Sequence, residues 1–569
     1  MKRKFFPVVV LLMGVLFISA LFLYQCARGE DARFEDYVNA LFRQEVSGNA
    51  ITLHYTLKNP SDYRIHNTPK SLGQVSTDTV SIGAAAENAL SVLHTFDVSG
   101  LSEENQLIYE LLEDSFSSSY KMSPLTLYEE PLSPLTGTQS QLPVLLSEYQ
   151  FYSVEDVDTY LELLKVMPEY FQAILDFEQA KAAAGLFMSD ARAKAVIEEC
   201  EAFVAMGGAN YLHTTFAELL KDVGSDHDRF VAENSRCIEE YVYPAYKLLA
   251  DGLLELMGSC TNEHGLCYFP EGKEYYELLV RNLTGSDRTI LELEMLSYEQ
   301  IIEDIEGMQA VLDELVSDAD AYDDLLSDAN PTSILSLLQE KLAGNFPTPP
   351  EVDLSIKYVA ESMEKYLSPA FYLIPAIDNA KENVIYINPQ HMNDELTLFT
   401  TLAHEGYPGH LYQTTYFNSL DPAPIRSLLG CGGYTEGWAT YCEMMSYYFA
   451  PVTKAEATFM QKNASVMLGL YALADMGIHY EGWTLSDTRN FFQNYGIEDA
   501  SSVAEIYDLI LGDPGNYLKY YIGYLEFLEL KKDAIAVWDT EFSQKRFHRE
   551  VLEMGPVPFW VLREKMLLE

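Results

Sequence analysis

The sequence lacks several patterns that would assign a function directly. It contains no Cys-x-x-Cys zinc spacing, no internal repeat and no long low-complexity run. Basic residues are few, since Lys and Arg number 37 against 86 Asp and Glu, which gives a formal net charge of −49. A surface so negative repels phosphate backbones, so we expect no nucleic-acid partner. Apolar residues make up 48% and charged residues 22% of the chain, which is typical of a globular protein and excludes disordered and collagen-like classes.

One long apolar run stands at the N-terminus. Residues 5–24 form an apolar stretch that only Ser19 interrupts, and a basic start precedes it. The stretch is long enough to cross a bilayer as a helix and also fits an export signal. The basic end stays cytoplasmic, which places the rest of the protein outside. We therefore predict a signal or anchor segment over residues 1–30 and an extracytoplasmic body tethered to the cell membrane.

The tether has two interpretations, which differ in the fate of Cys26. This cysteine follows directly after the apolar run, where a lipoprotein would receive its lipid. Gln25 departs from the lipoprotein pattern, because a small residue usually precedes the lipidated cysteine. Lipidation of Cys26 and an uncleaved membrane anchor therefore both stay open. In either case only the N-terminal segment touches the membrane.

Six further cysteines permit three disulfides, because an exported protein meets an oxidising compartment. Cys260 and Cys267 bracket a short polar loop and form the best pair. Buried free thiols are the alternative, above all for the least favoured pair. In order of preference, the predicted pairs are Cys260–Cys267, Cys200–Cys237 and Cys431–Cys442.

The chain is predicted to be mostly α with a small β-hairpin. Apolar residues recur at three- to four-residue spacing over long segments, and a serine precedes many of them as a helix N-cap. The helical segments are residues 154–184, 190–206, 226–257 and 287–315, and the proposed capping serines are Ser153, Ser189, Ser286 and Ser297. Residues 370–375 and 383–388 are β-prone runs around a polar turn, which predicts a hairpin. A helical run follows at residues 394–403.

Two histidines stand close together in the sequence HEGYPGH, residues 404–410. The zinc-peptidase pattern H-E-x-x-H places two histidines four residues apart on one helical face. Here they are six residues apart, which puts them on different faces of a regular helix. Pro408 breaks the helical hydrogen-bond ladder, and Gly406 and Gly409 tolerate unusual backbone angles. The segment is therefore either a zinc helix with a two-residue bulge or two structural histidines beside a kink.

Two glutamates downstream favour the metal interpretation. Glu436 stands 26 residues past His410, and Glu443 follows seven residues later, so the two glutamates share one helical face. A carboxylate is the expected third protein ligand after two histidines in a catalytic zinc site. The second carboxylate can hold a ligand histidine through its other ring nitrogen. The Gly, Tyr, Trp and Ala residues around Glu436 indicate close packing rather than a solvated helix face, which is the alternative.

These residue types assign roles if a metal is bound. Glu405 is predicted to be the general base that takes a proton from water. A carbonyl oxyanion needs a further donor, and candidates lie in residues 474–480 and 514–524. The same ligand set also suits manganese or cobalt, although zinc is favoured. The predicted ligands of one Zn²⁺ per chain are His404, His410 and Glu436.

These motifs together resemble a bacterial family called domain of unknown function 885. The resemblance rests on HEGYPGH, TEGWATYCE, ALADMGIHYEGW and DPGNYLKYYIGYLEFLELKKDA, supported upstream by PLSPLTGTQSQLP and PEGKEYY. It covers the chain from about Leu125 to the C-terminus. It implies an exported or lipid-anchored, mainly helical protein of a kind commonly taken to be a metal-dependent peptidase.

The resemblance also implies roles for single residues. By likeness to helical zinc peptidases, the ligands and Glu405 carry over as assigned above. His479 matches the family's Asp-x-Gly-x-His segment, and Tyr520 matches the tyrosine of its Pro-Gly-x-x-x-x-Tyr-x-Ile-Gly segment, so both are expected to be catalytic. The chain departs from the family at residues 516–517, where Gln-Ala is usual, and at Lys531, where Arg is usual. Lys grips a carboxylate less well than Arg does, which affects the expected substrate preference.

The predicted function is a membrane-tethered, zinc-dependent peptidase for short peptides, of the oligopeptidase or carboxypeptidase type. The likeness implies a large helical zinc-peptidase-like fold with a channel that excludes folded proteins. We expect a helical region over residues 31–350 and a catalytic region over residues 351–569, packed as one unit. The hairpin is expected to offer a strand edge to an extended peptide. The alternatives are a tethered protein that binds peptide or metal without turnover, and a hydrolase of another bond, such as an amide in cell-wall material.

Overall fold

The described chain is mostly α-helical with one small sheet, which confirms the predicted fold class. The computed structural model describes residues 29–134, 136–224, 226–317, 330–359, 364, 367–392 and 394–567. The apolar run at residues 5–24 and Cys26 lie outside this part of the chain. Within it, no helix combines the length and apolar character needed to cross a membrane.

Helices account for both ends of the described chain and flank the sheet. The helices before the sheet are α1 (Glu30–Val46), α2 (Ala50–Thr56), α3 (Thr79–Leu93), α4 (Glu103–Met122), α5 (Thr138–Ser147), α6 (Val154–Ala184), α7 (Asp190–Ala205), α8 (Tyr211–Leu219), α9 (His227–Cys237), α10 (Tyr243–Leu256), α11 (Gly272–Thr284), α12 (Ile290–Ser317) and α13 (Pro331–Lys341). Those after it are α14 (Glu395–Glu405), α15 (His410–Asn418), α16 (Gly432–Ser446), α17 (Lys454–Met476), α18 (Leu485–Asn494), α19 (Ala500–Gly512), α20 (Leu518–Trp538), α21 (Gln544–Met554) and α22 (Phe559–Leu567). α16 packs along α20, and α12 packs along α17.

Side-chain caps explain where several helices begin. Ser153 closes a capping box at the start of α6, and Ser189 caps α7, both as predicted. The other two proposed serines do not cap a helix. Ser286 donates to a buried glutamate instead, and Ser297 lies inside α12 and bonds back along that helix. Thr289 takes the capping role at α12, because its side chain and the Glu292 carboxylate bond each other's backbone N–H groups.

The predicted helix over residues 226–257 is continuous but not uniform. A π-helical turn, Ile238–Val242, joins α9 to α10. A second π-helical turn, Gly477–Glu481, extends α17 and carries His479. Such turns widen a helix locally and shift the faces that follow. A regular 3.6-residue period therefore assigns the buried side correctly only up to each turn.

The sheet contains the predicted hairpin and one strand that the sequence analysis missed. β2 (Ala370–Leu373) pairs antiparallel with β3 (Glu382–Ile387), which confirms the hairpin. β1 (Asp353–Tyr358) pairs parallel with β3, and the strand order is β1-β3-β2. β2 is therefore an edge strand of this sheet, and its free side runs past α14.

The sheet lies between two hydrophobic cores. Alternate side chains of a strand point to opposite faces. Ile385 and Ile387 of β3 accordingly join the larger core, whereas Tyr386 joins the smaller one. The smaller core is formed mainly by α5–α10, and the larger by the N-terminal helices together with the helices after α10. Both cores draw side chains from either side of residue 350, and a division of the chain there stays a prediction.

The disulfide predictions are wrong for the described structure. All six cysteines that it contains are free thiols. Cys260 and Cys267 each turn to a backbone carbonyl instead of to each other, with contacts to Asn262 and Ile478. A core built from this many buried apolar side chains does not depend on covalent staples.

Candidate metal centre

The sequence HEGYPGH folds as two helices, not as one bulged helix. α14 ends at Glu405 and α15 begins at His410, with residues 406–409 between them. We call these four residues the histidine loop. The Gly409 N–H donates to the Ala403 carbonyl at 2.9 Å, so the loop folds back on the end of α14. The break removes the constraint of helical spacing, because the two histidines no longer share one helix axis.

Gly409 permits this return of the chain. A Cβ atom at this position would lie 1.8 Å from the carbonyl oxygen of His404 and 2.5 Å from that of Ala403. Any residue other than glycine would therefore push the loop off α14. With glycine in place, the ring centroids of His404 and His410 come to 4.8 Å from each other.

Helix α16 brings Glu436 to the two histidines. Oε2 of Glu436 lies 3.4 Å from Nε2 of His410 and 3.9 Å from Nε2 of His404. One ligand-type atom from each of these three residues lies within 4.8 Å of the other two. All three side chains are buried. The structure thus brings together the three predicted metal ligands, which we call the His–His–Glu cluster.

Glu443 holds His404 from the other side of its ring. Oε2 of Glu443 lies 2.9 Å from Nδ1 of His404, the contact predicted from the seven-residue spacing. A carboxylate at Nδ1 fixes the proton on that nitrogen and leaves the Nε2 lone pair for the cluster. Nε2 of His410 makes no hydrogen bond within the described chain. A buried imidazole nitrogen without a hydrogen bond is costly unless another group takes its lone pair.

Glu405 lies beside the cluster and is oriented by the sheet. One of its carboxylate oxygens, Oε1, is 4.0 Å from Nε2 of His404. The other, Oε2, accepts a hydrogen bond of 2.8 Å from the backbone N–H of Tyr372 on β2. The edge strand therefore fixes the predicted base. Sequence analysis missed Tyr372, because a backbone N–H carries no residue-type signal.

The packing of α16 against α20 places Tyr520 near the cluster. Gly437 and Gly523 meet at the crossing, where a Cβ on Gly437 would lie 2.5 Å from the Gly523 Cα. The two helix backbones are thus in direct contact, which larger side chains would prevent. Tyr520 lies one turn before the crossing, and its ring centroid is 6.4 Å from that of His404. The structure therefore brings together Tyr520 and the predicted ligands.

His479 lies in a different hydrogen-bonded group, which corrects its predicted role. Its Nδ1 accepts from the backbone N–H of Leu266 at 3.2 Å, and its Nε2 donates to the Ile510 carbonyl at 2.9 Å. The side chain is 1% exposed. Burial lowers the pKa of His479 to about 4, so the ring is neutral at pH 7. The expected catalytic role fails, because neither ring nitrogen is left to meet a substrate.

Asp475 lies near His479 through Tyr276, whose ring stacks on that of His479 with a centroid distance of 5.5 Å. Its carboxylate accepts from the Tyr276 hydroxyl at 2.6 Å and from the Gly515 N–H at 2.9 Å. Gly515 precedes α20, the helix that carries Tyr520. The two sequence motifs that contain Asp475 and Gly515 therefore bind each other and fix the start of that helix.

Lys531 lies near the other end of α20. Its Nζ donates to the Tyr441 hydroxyl at 3.2 Å, and burial lowers the pKa of Lys531. Tyr441 also contacts Gln544 and His548 at 2.7 and 3.0 Å. Lys531 therefore belongs to a group of polar side chains from α16, α20 and α21, whose other members are Tyr441, Gln544 and His548.

Comparison with known proteins assigns the chain to a family. A family described as "Bacterial protein of unknown function (DUF885)" matches residues 76–566. The chain belongs to this family. The family resemblance found in the sequence motifs is therefore confirmed, and the match extends further towards the N-terminus than Leu125. No curated protein matches the chain.

Solved structures share the fold. One is a "putative lipoprotein" from Colwellia psychrerythraea, with a TM-score of 0.77, 19% identity, and coverage of 94% of this chain and 97% of that one. Another, described in the same words and as of unknown function, comes from Shewanella oneidensis, with a TM-score of 0.64, 16% identity, and coverage of 95% and 99%. At these identities the likeness shows the fold alone.

Proposed function

We propose that the protein is a metal-dependent hydrolase that cleaves peptide bonds of short peptides outside the cytoplasm. The observation that carries the proposal is the buried His–His–Glu cluster with Glu405 beside it. Two histidines and one carboxylate form the protein ligand set of many catalytic zinc sites. A protein that only bound metal would have no need for a carboxylate in the position of a general base.

The donor set fits a divalent metal ion. His404, His410 and Glu436 would hold the ion, and Glu443 would fix the ring of His404. Nε2 of His410, which makes no hydrogen bond in the described chain, is the type of atom that a metal ion accepts as a ligand. Imidazole nitrogen and carboxylate oxygen suit Zn²⁺ first, and also Mn²⁺ or Co²⁺.

The chemistry divides between the ion and the chain. A bound Zn²⁺ supplies Lewis acidity, which polarises a carbonyl and eases the ionisation of water. Glu405 takes the proton from the attacking water and passes it to the leaving amine. The Tyr372 N–H holds Glu405 in place for this transfer. Tyr520 donates a hydrogen bond to the oxyanion that forms at the attacked carbonyl.

The sheet edge supports a peptide as the substrate. The N–H of Tyr372 points away from β3, towards Glu405, and the carbonyl of a strand residue points to the same side as its N–H. The Tyr372 carbonyl is therefore at the free edge of β2, beside the predicted base. An extended peptide that donates a backbone N–H to this carbonyl would lie along the edge with its scissile bond near the cluster.

The cellular location follows from the N-terminal segment. The apolar run at residues 5–24 and Cys26 indicate export and tethering. The two solved structures with this fold are each described as a "putative lipoprotein". We propose an extracytoplasmic protein held at the cell membrane by a lipid on Cys26 or by the apolar run itself.

Metal content is the first test. The full-length protein in detergent is purified, supplied with zinc, freed of excess metal and measured by elemental analysis. We expect about one zinc per chain in the wild type, and a loss of that zinc in the variants His404→Ala and Glu436→Ala. A metal-free wild type after this treatment would overturn the proposal.

Peptide cleavage is the second test. A panel of short peptides with free and blocked ends is incubated with the zinc-loaded protein, and products are identified by mass spectrometry. Glu405→Gln should keep the zinc and lower turnover by about 10²–10⁴-fold, because only the base is lost. Equal turnover in both proteins would show that Glu405 is not the base, and a panel left intact by the wild type would argue against peptide hydrolysis.

A further inference from the structure

Two donors from one helix hold the carbonyl oxygen of Pro408. This residue lies in the histidine loop, two positions before His410. Nε1 of Trp438 donates to the Pro408 oxygen at 2.9 Å, and Sγ of Cys442 donates to it at 3.3 Å. Trp438 and Cys442 are four residues apart on α16, so both project from one side of that helix. Both are fully buried.

The same helix supplies two carboxylates of the candidate site, Glu436 and Glu443. Glu436 lies 3.4 Å from Nε2 of His410, and Glu443 lies 2.9 Å from Nδ1 of His404. α16 therefore contacts the histidine loop through one pair of side chains and the two histidines through another. Because a helix is a rigid element, these four contacts have fixed positions relative to one another.

We propose that Trp438 and Cys442 form a clamp that sets the position of His410 relative to His404. They are positioning residues, since they bind the loop and not the substrate. The backbone hydrogen bonds of the loop join its two glycines to the flanking helices, and none of them uses the Pro408 carbonyl. They run from Gly406 to Leu402, from Gly409 to Ala403, from Tyr412 to Gly406 and from Gln413 to Gly409. The clamp therefore adds a constraint that the loop does not supply for itself.

The packing around Trp438 allows the hydrogen bond to be tested apart from the ring. The indole contacts Phe346 and Phe527 with centroid distances of 6.3 and 5.8 Å. Trp438→Phe keeps an aromatic ring in this contact and removes the N–H. Cys442→Ser keeps a donor to Pro408, and Cys442→Ala removes it. These variants change the hydrogen bonds while they keep most of the buried apolar surface.

Zinc affinity of the full-length protein in detergent, measured by competition with a chelator, is the first readout, and it rests on the proposed metal site. Trp438→Phe should weaken zinc binding by about 10–100-fold, as is usual for groups that orient metal ligands. Trp483→Phe, at a tryptophan that packs against Phe491, is the matched control and should leave affinity unchanged. Cys442→Ala should bind zinc less tightly than Cys442→Ser.

Amide hydrogen exchange of the metal-free protein is the second readout, and it does not depend on metal. The peptide that covers residues 403–412 should exchange faster in Trp438→Phe than in the wild type or in Trp483→Phe, while other peptides stay unchanged. A wild-type exchange rate in this peptide would overturn the clamp, whatever the zinc result. Faster exchange with no zinc binding by the wild type would support the clamp and overturn the proposed function alone.

Discussion

Two buried histidines in this protein differ in the hydrogen-bond partners of their rings. His410 and His479 are both buried, and both belong to sequence motifs on which the resemblance to the family rests. Backbone groups take both ring nitrogens of His479, from Leu266 on one side and to Ile510 on the other. His410 turns its Nε2 towards Glu436 and makes no hydrogen bond through that atom in the described chain.

The difference lies in what completes each ring. A histidine bonded twice to backbone joins two chain segments and has no lone pair to offer. A histidine with one ring nitrogen that makes no hydrogen bond keeps the lone pair of that nitrogen for a ligand. A sequence motif identifies only the residue type. The hydrogen-bond partners of the two ring nitrogens distinguish a structural histidine from one that can bind a ligand.

Loss of metal should separate the two sites most strongly. His410→Ala should lower zinc affinity by more than about 100-fold, because loss of a ligand costs more than the 10–100-fold that loss of an orienting group costs. His479→Ala should leave zinc affinity within about twofold, since no lone pair is available there. Chelator competition on the full-length protein measures both variants. An equal loss of zinc affinity in the two variants would refute the distinction between His410 and His479.

A pair of tyrosines tests the same contrast through turnover. Tyr520→Phe removes the proposed oxyanion donor and should lower kcat by about 10²–10³-fold, with zinc content unchanged. Tyr276→Phe removes a hydroxyl that bonds Asp475 and serves as the matched control. We expect the control to lose stability and to keep its kcat. Steady-state kinetics on a cleaved peptide decide, and a similar drop in both variants would place both tyrosines in the same role.

Substitution of His479 should lower the free energy of unfolding more than substitution of His410 does, which is the reverse of the order expected for zinc affinity. His479→Ala leaves the Leu266 N–H buried without a partner, and such a loss costs about 1–3 kcal/mol, whereas the Ile510 carbonyl keeps a second donor in the Asp513 N–H. We therefore expect a free energy of unfolding lower by about 1–3 kcal/mol. In metal-free protein, His410→Ala should cost less. Thermal and denaturant unfolding measure the two variants, and a larger loss for His410→Ala would contradict this interpretation.

A further expected effect is a pH dependence of stability. Burial lowers the pKa of His479 to about 4 from its ordinary value of 6.5. Between these values the unfolded chain binds the proton and the folded chain does not, so the contribution of His479 is complete above pH 6.5 and declines as the pH falls to 4. The full change is about 3 kcal/mol. The difference in unfolding free energy between wild type and His479→Phe should shrink from pH 7 to pH 4.5, and a constant difference would speak against a neutral buried ring.

The fold class, the hairpin and most helices could be predicted from the sequence, because they depend on local patterns. The period of apolar residues, a capping serine such as Ser153 and a β-prone pair of runs act within a few residues of themselves. The capping error at Ser286 shows the limit of such signals. Its side chain binds Glu526, which lies 240 residues away in the sequence, and local propensity cannot express that preference.

The candidate site was likewise predictable from the sequence only in part. The grouping of His404, His410 and Glu436 was predictable from residue types, although the backbone that achieves it was not. The break at the histidine loop depends on the fit of Gly409 against the end of α14, and the orientation of Glu405 depends on the Tyr372 N–H. His479 was misassigned because its backbone partners come from two distant segments. Tertiary contacts of this kind cannot be inferred from the types of the residues that make them.

If the chain is exported as proposed, the position of the sheet between two cores sets an order for its folding. The smaller core, formed mainly by α5–α10, also needs Phe371 and Tyr386 from the sheet. A chain that crosses the membrane N-terminus first delivers those helices long before it delivers the strands. Until residue 386 has crossed, the core of α5–α10 lacks these aromatic side chains. Completion of that core would then depend on the passage of the segment that leads into the His–His–Glu cluster.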